Sequence, residues 1–309
     1  MKMLICITIP LLAIWGLKNV YFKHLSFSHN MYLASIIDKQ HLLDSVPSPR
    51  IVLMSGSCMA FGINSDILEK EFEIPVVNMA LHYNLGSRFM MNQLKQNIRK
   101  GDIIIICLEY NILSEGEPEE QYIAAEFYQP ASQWVAGKTK KEKVLRYFAH
   151  CLNASHLLLG YCLGKHDEVP TVNDSTSIFY RNCFSAKGDM IGHLNNPSYL
   201  LQALPINRNN VDFREPIKDV NEFVEFSEQK GAKVLYTFPS YCQSNFEENR
   251  HRIHFIENQL RAKLKCTIVG QPESGVMDDK LFFDNIYHPN AEGRKIWTYR
   301  LVEALQYIL

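Results

Sequence analysis

A serine set directly after a glycine, in Ser55-Gly56-Ser57-Cys58, is the first place in this chain where reactive chemistry and a tight backbone coincide. The apolar run Arg50-Ile-Val-Leu-Met54 leads into it, so Ser57 falls just past the end of an expected strand. Far downstream, Phe283-Asp284-Asn285-Ile286-Tyr287-His288-Pro289 sets an aspartate and a histidine directly before an expected final helix. A hydroxyl nucleophile, an imidazole base and a carboxylate that orients the base are the parts acyl transfer needs. Glycines nearby would let backbone N–H groups approach a developing oxyanion. Another strand end carries Glu109-Tyr110-Asn111, where Glu109 and Tyr110 read either as substrate-pocket lining or as ordinary loop polarity. Cys58, beside the serine, reads as a small buried hydrophobe and not as a rival nucleophile.

Other chemistries find less support. Gly56 to Gly62 does not match a dinucleotide fingerprint, and no Gly-Lys-Ser/Thr phosphate loop occurs. Met59 stands where a G-x-S-x-G elbow needs glycine. His251-Arg-Ile-His254 has a spacing that shares a helix face, but no further ligand is placed to complete a metal set, so a solvated helix surface is expected. The eight cysteines form no C-x-x-C, which excludes a zinc ribbon or a dithiol motif. Isolated thiols are expected, and pairing among Cys151, Cys162, Cys183 and Cys242 stays open. The reading implies no metal and no cofactor.

The elements that must carry these residues follow an α/β rhythm. Strands are expected at 50–54, 75–78, 103–108, 233–238 and 266–269, with a helix capped by Asn64 or Ser65 that contains Asp66, Glu69 and Glu71, and helices at about 86–100, 216–230, 246–264 and 290–307. Ile103-Ile-Ile-Ile-Cys-Leu108 is an unbroken, mostly β-branched run, the pattern of a strand covered on both faces in a parallel sheet. The fold class is therefore α/β, a doubly wound and mostly parallel sheet flanked by helices. In such sheets ligands bind beyond the carboxyl ends of the strands, where Ser57 and Glu109 fall. Residues 112–215 lose the rhythm and are expected to form a largely helical insertion. Residues 23–49 are an approach segment.

The chain's 309 residues carry 32 basic and 33 acidic side chains, a balance that provides no basic stripe for nucleic acid. Its 47% hydrophobic content supplies a full core and excludes disorder as the main state. Residues 3–17 are uncharged between Lys2 and Lys18. That run is shorter than the ~17–25 residues of a spanning helix, although the stretch to Phe22 extends it. A membrane anchor over residues 1–22 is expected, with a signal-like segment or a buried helix as alternatives. The run Lys138 to Lys143 reads as a solvated helix turn, with a lipid-headgroup contact as the other reading.

Taken together, these blocks resemble the SGNH (GDSL-type) hydrolases, and more closely their membrane-anchored bacterial envelope members. Ile51 through Ser65 is similar to the family's first block, which implies Ser57 as nucleophile and as an oxyanion donor. Asn78-Met-Ala-Leu-His-Tyr-Asn-Leu-Gly86 resembles the second block and implies Gly86 as a further oxyanion donor, with Asn84 competing. Asn111 is the counterpart of the third-block asparagine of the oxyanion hole. Phe283 through His288 resembles the last block, implying His288 as base and Asp284 as its orienting acid. Phe184 through His193 is similar to a motif of the envelope members; Asp189 and His193 within it could equally form an i, i+4 ion pair.

The sequence departs from the family pattern in its third block, and Asn285 stands where the orienting aspartate usually is. The resemblance implies a flavodoxin-like sheet over 23–309, interrupted at about 112–215. It implies an esterase or O-acyltransferase acting on acyl esters, acetyl foremost, of an envelope polysaccharide or related polymer, on the periplasmic or extracellular side. A non-catalytic relative that binds glycan or docks to a membrane acyltransferase is the alternative.

Overall fold

The β-branched runs become strands, and their carboxyl ends bring the chemistry together. A computed structural model describes residues 2–24, 30–137, 139–165, 178–199 and 212–309. The strands are β1 (Ile51–Ser55), β2 (Val76–Asn78), β3 (Ile103–Cys107), β4 (Lys233–Thr237), β5 (Tyr241–Cys242), β6 (Thr267–Val269) and β7 (Val276–Met277). Five of them form one sheet in the order β2-β1-β3-β4-β6, and β5 and β7 pair separately. All of these pairings are parallel. The helices are α1 (Lys2–His24), α2 (Ile36–Ser45), α3 (Ser57–Gly62), α4 (Ser65–Phe72), α5 (Ser87–Lys95), α6 (Pro118–Phe127), α7 (Lys140–Cys162), α8 (Arg214–Gln229), α9 (Gln243–Lys263) and α10 (Ala291–Leu305).

The expected α/β architecture is the observed one. The order reverses between β1 and β3, which is the switch point where doubly wound sheets open a crevice. β1 is buried along its whole length, as a strand covered on both faces must be. α5 packs on α8 and α8 on α9, while α10 packs on α3 and α4. Asn64 caps α4 by accepting from the Asp66 and Ile67 N–H groups, the role its position indicates.

Two compact units are present. The sheet unit comprises residues 37–117 and 183–309. Below the amino ends of its strands, Arg50 and Asp102 form a fully buried two-point pair at 3.1 and 3.2 Å. The remaining guanidinium N–H groups go to the carbonyls of Leu43, Val46 and Asn97, so neither charge is left uncompensated.

The helical unit comprises residues 1–36 and 118–182. Within it α1 lies along α7: Ser155 Oγ donates to the Ile14 carbonyl at 3.1 Å, and the Phe22 and His150 rings stack at 5.4 Å. Tyr21, Phe22, Ala154 and Leu158 form a small core there, while Ile9, Leu12 and Trp15 stay exposed. Lys18 is buried against Glu126 at 2.6 Å. Among the described residues no helix is long and apolar enough to cross a membrane.

The expected insertion divides differently from its sequence boundaries. Only 118–182 joins the helical unit, whereas the described parts of 183–215 belong with the sheet. The reason is a set of buried bonds: Asn78 N–H donates to the Lys187 carbonyl at 2.9 Å, and Lys39 Nζ donates to the Asn78 and Gly188 carbonyls at 2.9 and 2.6 Å. Residues 25–29 of the approach segment, Lys138 of the basic run, and 166–177 and 200–211 of the insertion lie outside the described residues.

Candidate active site

β1 delivers the chain into a sharp turn at Gly56, and Ser57 opens α3 as its first residue. The C-terminal loop reaches the same place through its own framework. Phe283 N–H donates to the His288 carbonyl at 2.8 Å, and Ser240 Oγ donates to the Tyr287 carbonyl at 2.8 Å. Cys242 N–H holds the Ile286 carbonyl at 3.1 Å. So anchored, His288 Nε2 lies 2.8 Å from Ser57 Oγ, and His288 Nδ1 lies 2.7 Å from Asp284 Oδ1. A carboxylate oxygen accepts, so Nδ1 is the donor and the Nε2 lone pair is left for the serine O–H. That is the protonation pattern of a general base. Ser57 is 8% exposed, and Asp284 and His288 are each 4% exposed, so the three side chains are buried together, Ser57 the least completely.

Both faces of the imidazole are covered. Phe61, one turn after Ser57 on α3, stacks on it at 3.8 Å with an interplanar angle of 3°. Asn285 Nδ2 is 2.7 Å from Nδ1 and 3.3 Å from Nε2. An atom that close to both ring nitrogens sits over the ring and not in line with Nδ1. The Asn285 carbonyl oxygen accepts from Tyr287 N–H at 2.8 Å, which fixes the amide in this orientation. The shifted aspartate is thereby explained: Asp284 takes the in-line position, and Asn285 covers the ring.

No family model matches the chain, and no curated protein matches it.

The site therefore stands on its own geometry, which unites Ser57, His288 and Asp284 and corrects several other assignments. Gly86 is not an open oxyanion donor, because its N–H closes a turn onto the Tyr83 carbonyl at 3.0 Å. Its glycine identity has another cause: φ is +80°, and a Cβ would meet the Gly116 backbone nitrogen at 2.5 Å. Asn84, its competitor, spends its N–H on His82 Nδ1 at 3.3 Å. Among the described residues, Asn111 Oδ1 is buried without a hydrogen-bond partner, so its side-chain oxygen does not join the Ser57 centre. Tyr110 is a core residue and not pocket lining: it is 1% exposed and its ring packs edge-on against Tyr241 at 5.3 Å. Its N–H donates to Tyr287 Oη at 3.1 Å, which steadies the loop carrying His288.

Glu109 does not line a pocket either. It is 1% exposed, and its carboxylate accepts from Gly56 N–H at 3.2 Å and from Cys58 N–H at 3.0 Å. Asp189 and His193 form no ion pair, since the segment between them is turn and bridge, not helix. Asp189 pairs with Arg294 at 2.8 Å, and the His193 ring packs on Phe61 at 4.8 Å. Cys58 is wholly buried, and burial pushes its thiol well above the ordinary value, which fits an inert hydrophobe. His254 is spoken for by Glu257 at 3.0 Å and Glu273 at 3.2 Å on the surface of α9. Cys151, Cys162, Cys183 and Cys242 are all free thiols.

Phe61, Asn285 and Tyr287 are the contributors that motif reading missed. The spacing of Phe61, four after Ser57 on one helix face, is the signal that could have found it.

Two further histidines stay neutral near the centre. Burial, with the His288 charge adding to it, pushes His82 down to about 4. Burial first, then the charges of Arg294 and His288, pushes His193 down to about 4 as well. His193 Nε2 donates to the Pro289 carbonyl at 3.1 Å, and among the described residues its buried Nδ1 has no partner to accept a second proton. Between the folded value of about 4 and the unfolded 6.5, the unfolded chain binds more protons, so stability falls as pH drops through that window. Urea midpoints of the sheet unit should decline from neutral pH toward pH ~4. The decline should be shallower in His193→Gln; a midpoint that ignores pH over this range contradicts it.

Proposed function

We propose that the chain is a serine-dependent acyl-transfer enzyme of SGNH type, an esterase or O-acyltransferase acting on acyl esters of an envelope polysaccharide or related polymer. The observation that carries this reading is the continuous chain from Ser57 Oγ through His288 to Asp284, at 2.8 and 2.7 Å.

In the first half-reaction Ser57 Oγ attacks the ester carbonyl while His288 Nε2 takes the hydroxyl proton. Asp284 holds the imidazolium that forms. The Ser57 N–H, at the first position of α3, has no intrahelical acceptor and is available to the oxyanion. Collapse of the tetrahedral intermediate passes the proton to the leaving alcohol and leaves Ser57 acylated. Water then regenerates the serine in an esterase, or a sugar hydroxyl does so in a transferase. The apolar segment within α1 and the likeness of 184–193 to envelope members favour a polymer near a membrane as substrate, with the sheet unit on its outer side.

A fluorophosphonate probe is expected to label the wild-type chain on Ser57, and Ser57→Ala to abolish the labelling. Equal labelling of that variant would sink the assignment. One observation favours the second reading, a non-catalytic protein that binds glycan or a membrane acyltransferase: the Gly86 N–H is already committed to Tyr83. An unlabelled wild type that still binds acylated glycan would decide for it.

A further inference from the structure

We infer that Glu109 is a positioning residue of the Ser57 centre: its buried carboxylate grips the amides on either side of the nucleophile and leaves the Ser57 N–H as the turn's open donor. The inference rests on the proposed acylation of Ser57 and adds a residue to it.

Three observations carry it. Glu109 stands two residues beyond the last residue of β3, beside the end of β1, so the switch point of the sheet aims it under the nucleophile turn. Its two oxygens take the N–H groups of Gly56 and Cys58, at 3.2 and 3.0 Å, and skip the residue between them. Gly56 is small for this contact: a Cβ there would come within 2.4 Å of Glu109 Oε1 and 2.6 Å of Oε2. Among the described residues the Ser57 N–H has no acceptor, so the grip separates two structural amides from one functional amide. A helix opening on three free N–H groups would let the turn rotate among them, and an oxyanion donor displaced by an ångström loses most of its worth.

The grip depends on the carboxylate being ionised. Burial pushes the Glu109 carboxyl up, and the N–H groups of Cys58, of Glu109 itself and of Gly56, with the His288 charge, oppose that rise. The titratable groups facing it are His288, Cys58, Cys107 and Tyr287. Protonation turns one oxygen into a donor, which confronts an N–H in place of accepting it. As pH falls and the Glu109 carboxylate takes up a proton, acylation should therefore slow.

The test uses the full chain. The rate of fluorophosphonate labelling is measured against pH for wild type, Glu109→Gln and Gly56→Ala, with a thermal midpoint to confirm folding and amide exchange across 56–58. Glu109→Gln presents one acceptor and one amide NH2, so labelling should slow by up to about 100-fold, the size of an ångström's misplacement. The acid limb due to Glu109 should vanish, and exchange at Gly56 or Cys58 should accelerate. Gly56→Ala should displace the carboxylate and slow labelling without removing its charge. Wild-type labelling rate and pH profile in Glu109→Gln would overturn the inference while leaving the proposed function intact. A wild type that is not labelled would overturn the proposed function, and unchanged exchange in Glu109→Gln would then overturn the grip as well.

Discussion

Asp284→Asn is expected to slow acylation of Ser57 by about 10⁴-fold, the loss typical when the orienting acid of a Ser-His-Asp centre is replaced. The wild-type carboxylate can only accept, so it fixes the proton on His288 Nδ1 and leaves Nε2 basic toward Ser57 at 2.8 Å. An asparagine at 284 can donate to Nδ1, which moves the proton to Nε2, where it faces the serine and cannot accept from it. Asn285 offers no rescue, because its amide lies over the ring and its oxygen is held by Tyr287 N–H. The rate of fluorophosphonate labelling measures the effect, with a thermal midpoint to confirm folding. Labelling within about tenfold of wild type would mean that Asp284 is not the orienting acid.

Asp189→Ala is expected to cost about 3–5 kcal/mol of stability, as breaking one side of a buried charge pair does. Asp189 is 2% exposed, and both of its carboxylate oxygens are hydrogen-bonded. Oδ1 accepts from Ser65 Oγ at 2.6 Å and from Asn78 Nδ2 at 2.8 Å. Oδ2 accepts from Ser65 N–H at 2.9 Å and from Arg294 Nη2 at 2.8 Å. One carboxylate thus joins the start of α4, the end of β2, α10 and the 184–193 segment. Removing it strands the buried Arg294 guanidinium, which keeps its bond to the Ile63 carbonyl at 2.9 Å but loses its counter-charge. Urea unfolding read from Trp297, which is buried in the sheet unit, reports the loss once Trp15 and Trp134 are replaced by Phe. A change below about 1 kcal/mol would contradict the expectation, since it would match a surface substitution.

The strands were legible because covered parallel strands are written in continuous apolar runs. The register Ile51–Ile103–Lys233 ties together three segments whose limits the hydrophobicity located to within a residue or so. Ser57, Asp284 and His288 were legible as candidates because they fall just past a strand end and just before a helix, where ligand sites of doubly wound sheets lie. What stayed hidden depends on three-dimensional bonding between distant residues. Nothing local distinguishes a Gly86 N–H that is free from one that closes onto Tyr83. Glu109 and Tyr110 are polar residues after a strand, and burial alone reveals that neither meets solvent. The 184–193 segment breaks the α/β rhythm, so periodicity assigns it to an insertion, although Asp189 and the Lys187 carbonyl bind it to Asn78 at the end of β2. The short β5 and β7 are two residues each, below the length at which alternation carries a signal.

Ser57 and His288 are 231 positions apart, and their meeting has a consequence for the chain as it is made. At synthesis rates of about 5–20 residues per second, the serine precedes its histidine by on the order of tens of seconds. Throughout that interval the strands β1 to β3 can pair, but the hydroxyl has no base and is an ordinary alcohol. The last helix, α10, completes the packing against α3 and α4 that frames the loop bearing His288. Under the proposed function, reactivity would be withheld from the nascent chain by the order of its parts, and a product truncated before His288 would lack the Ser57–His288 pair.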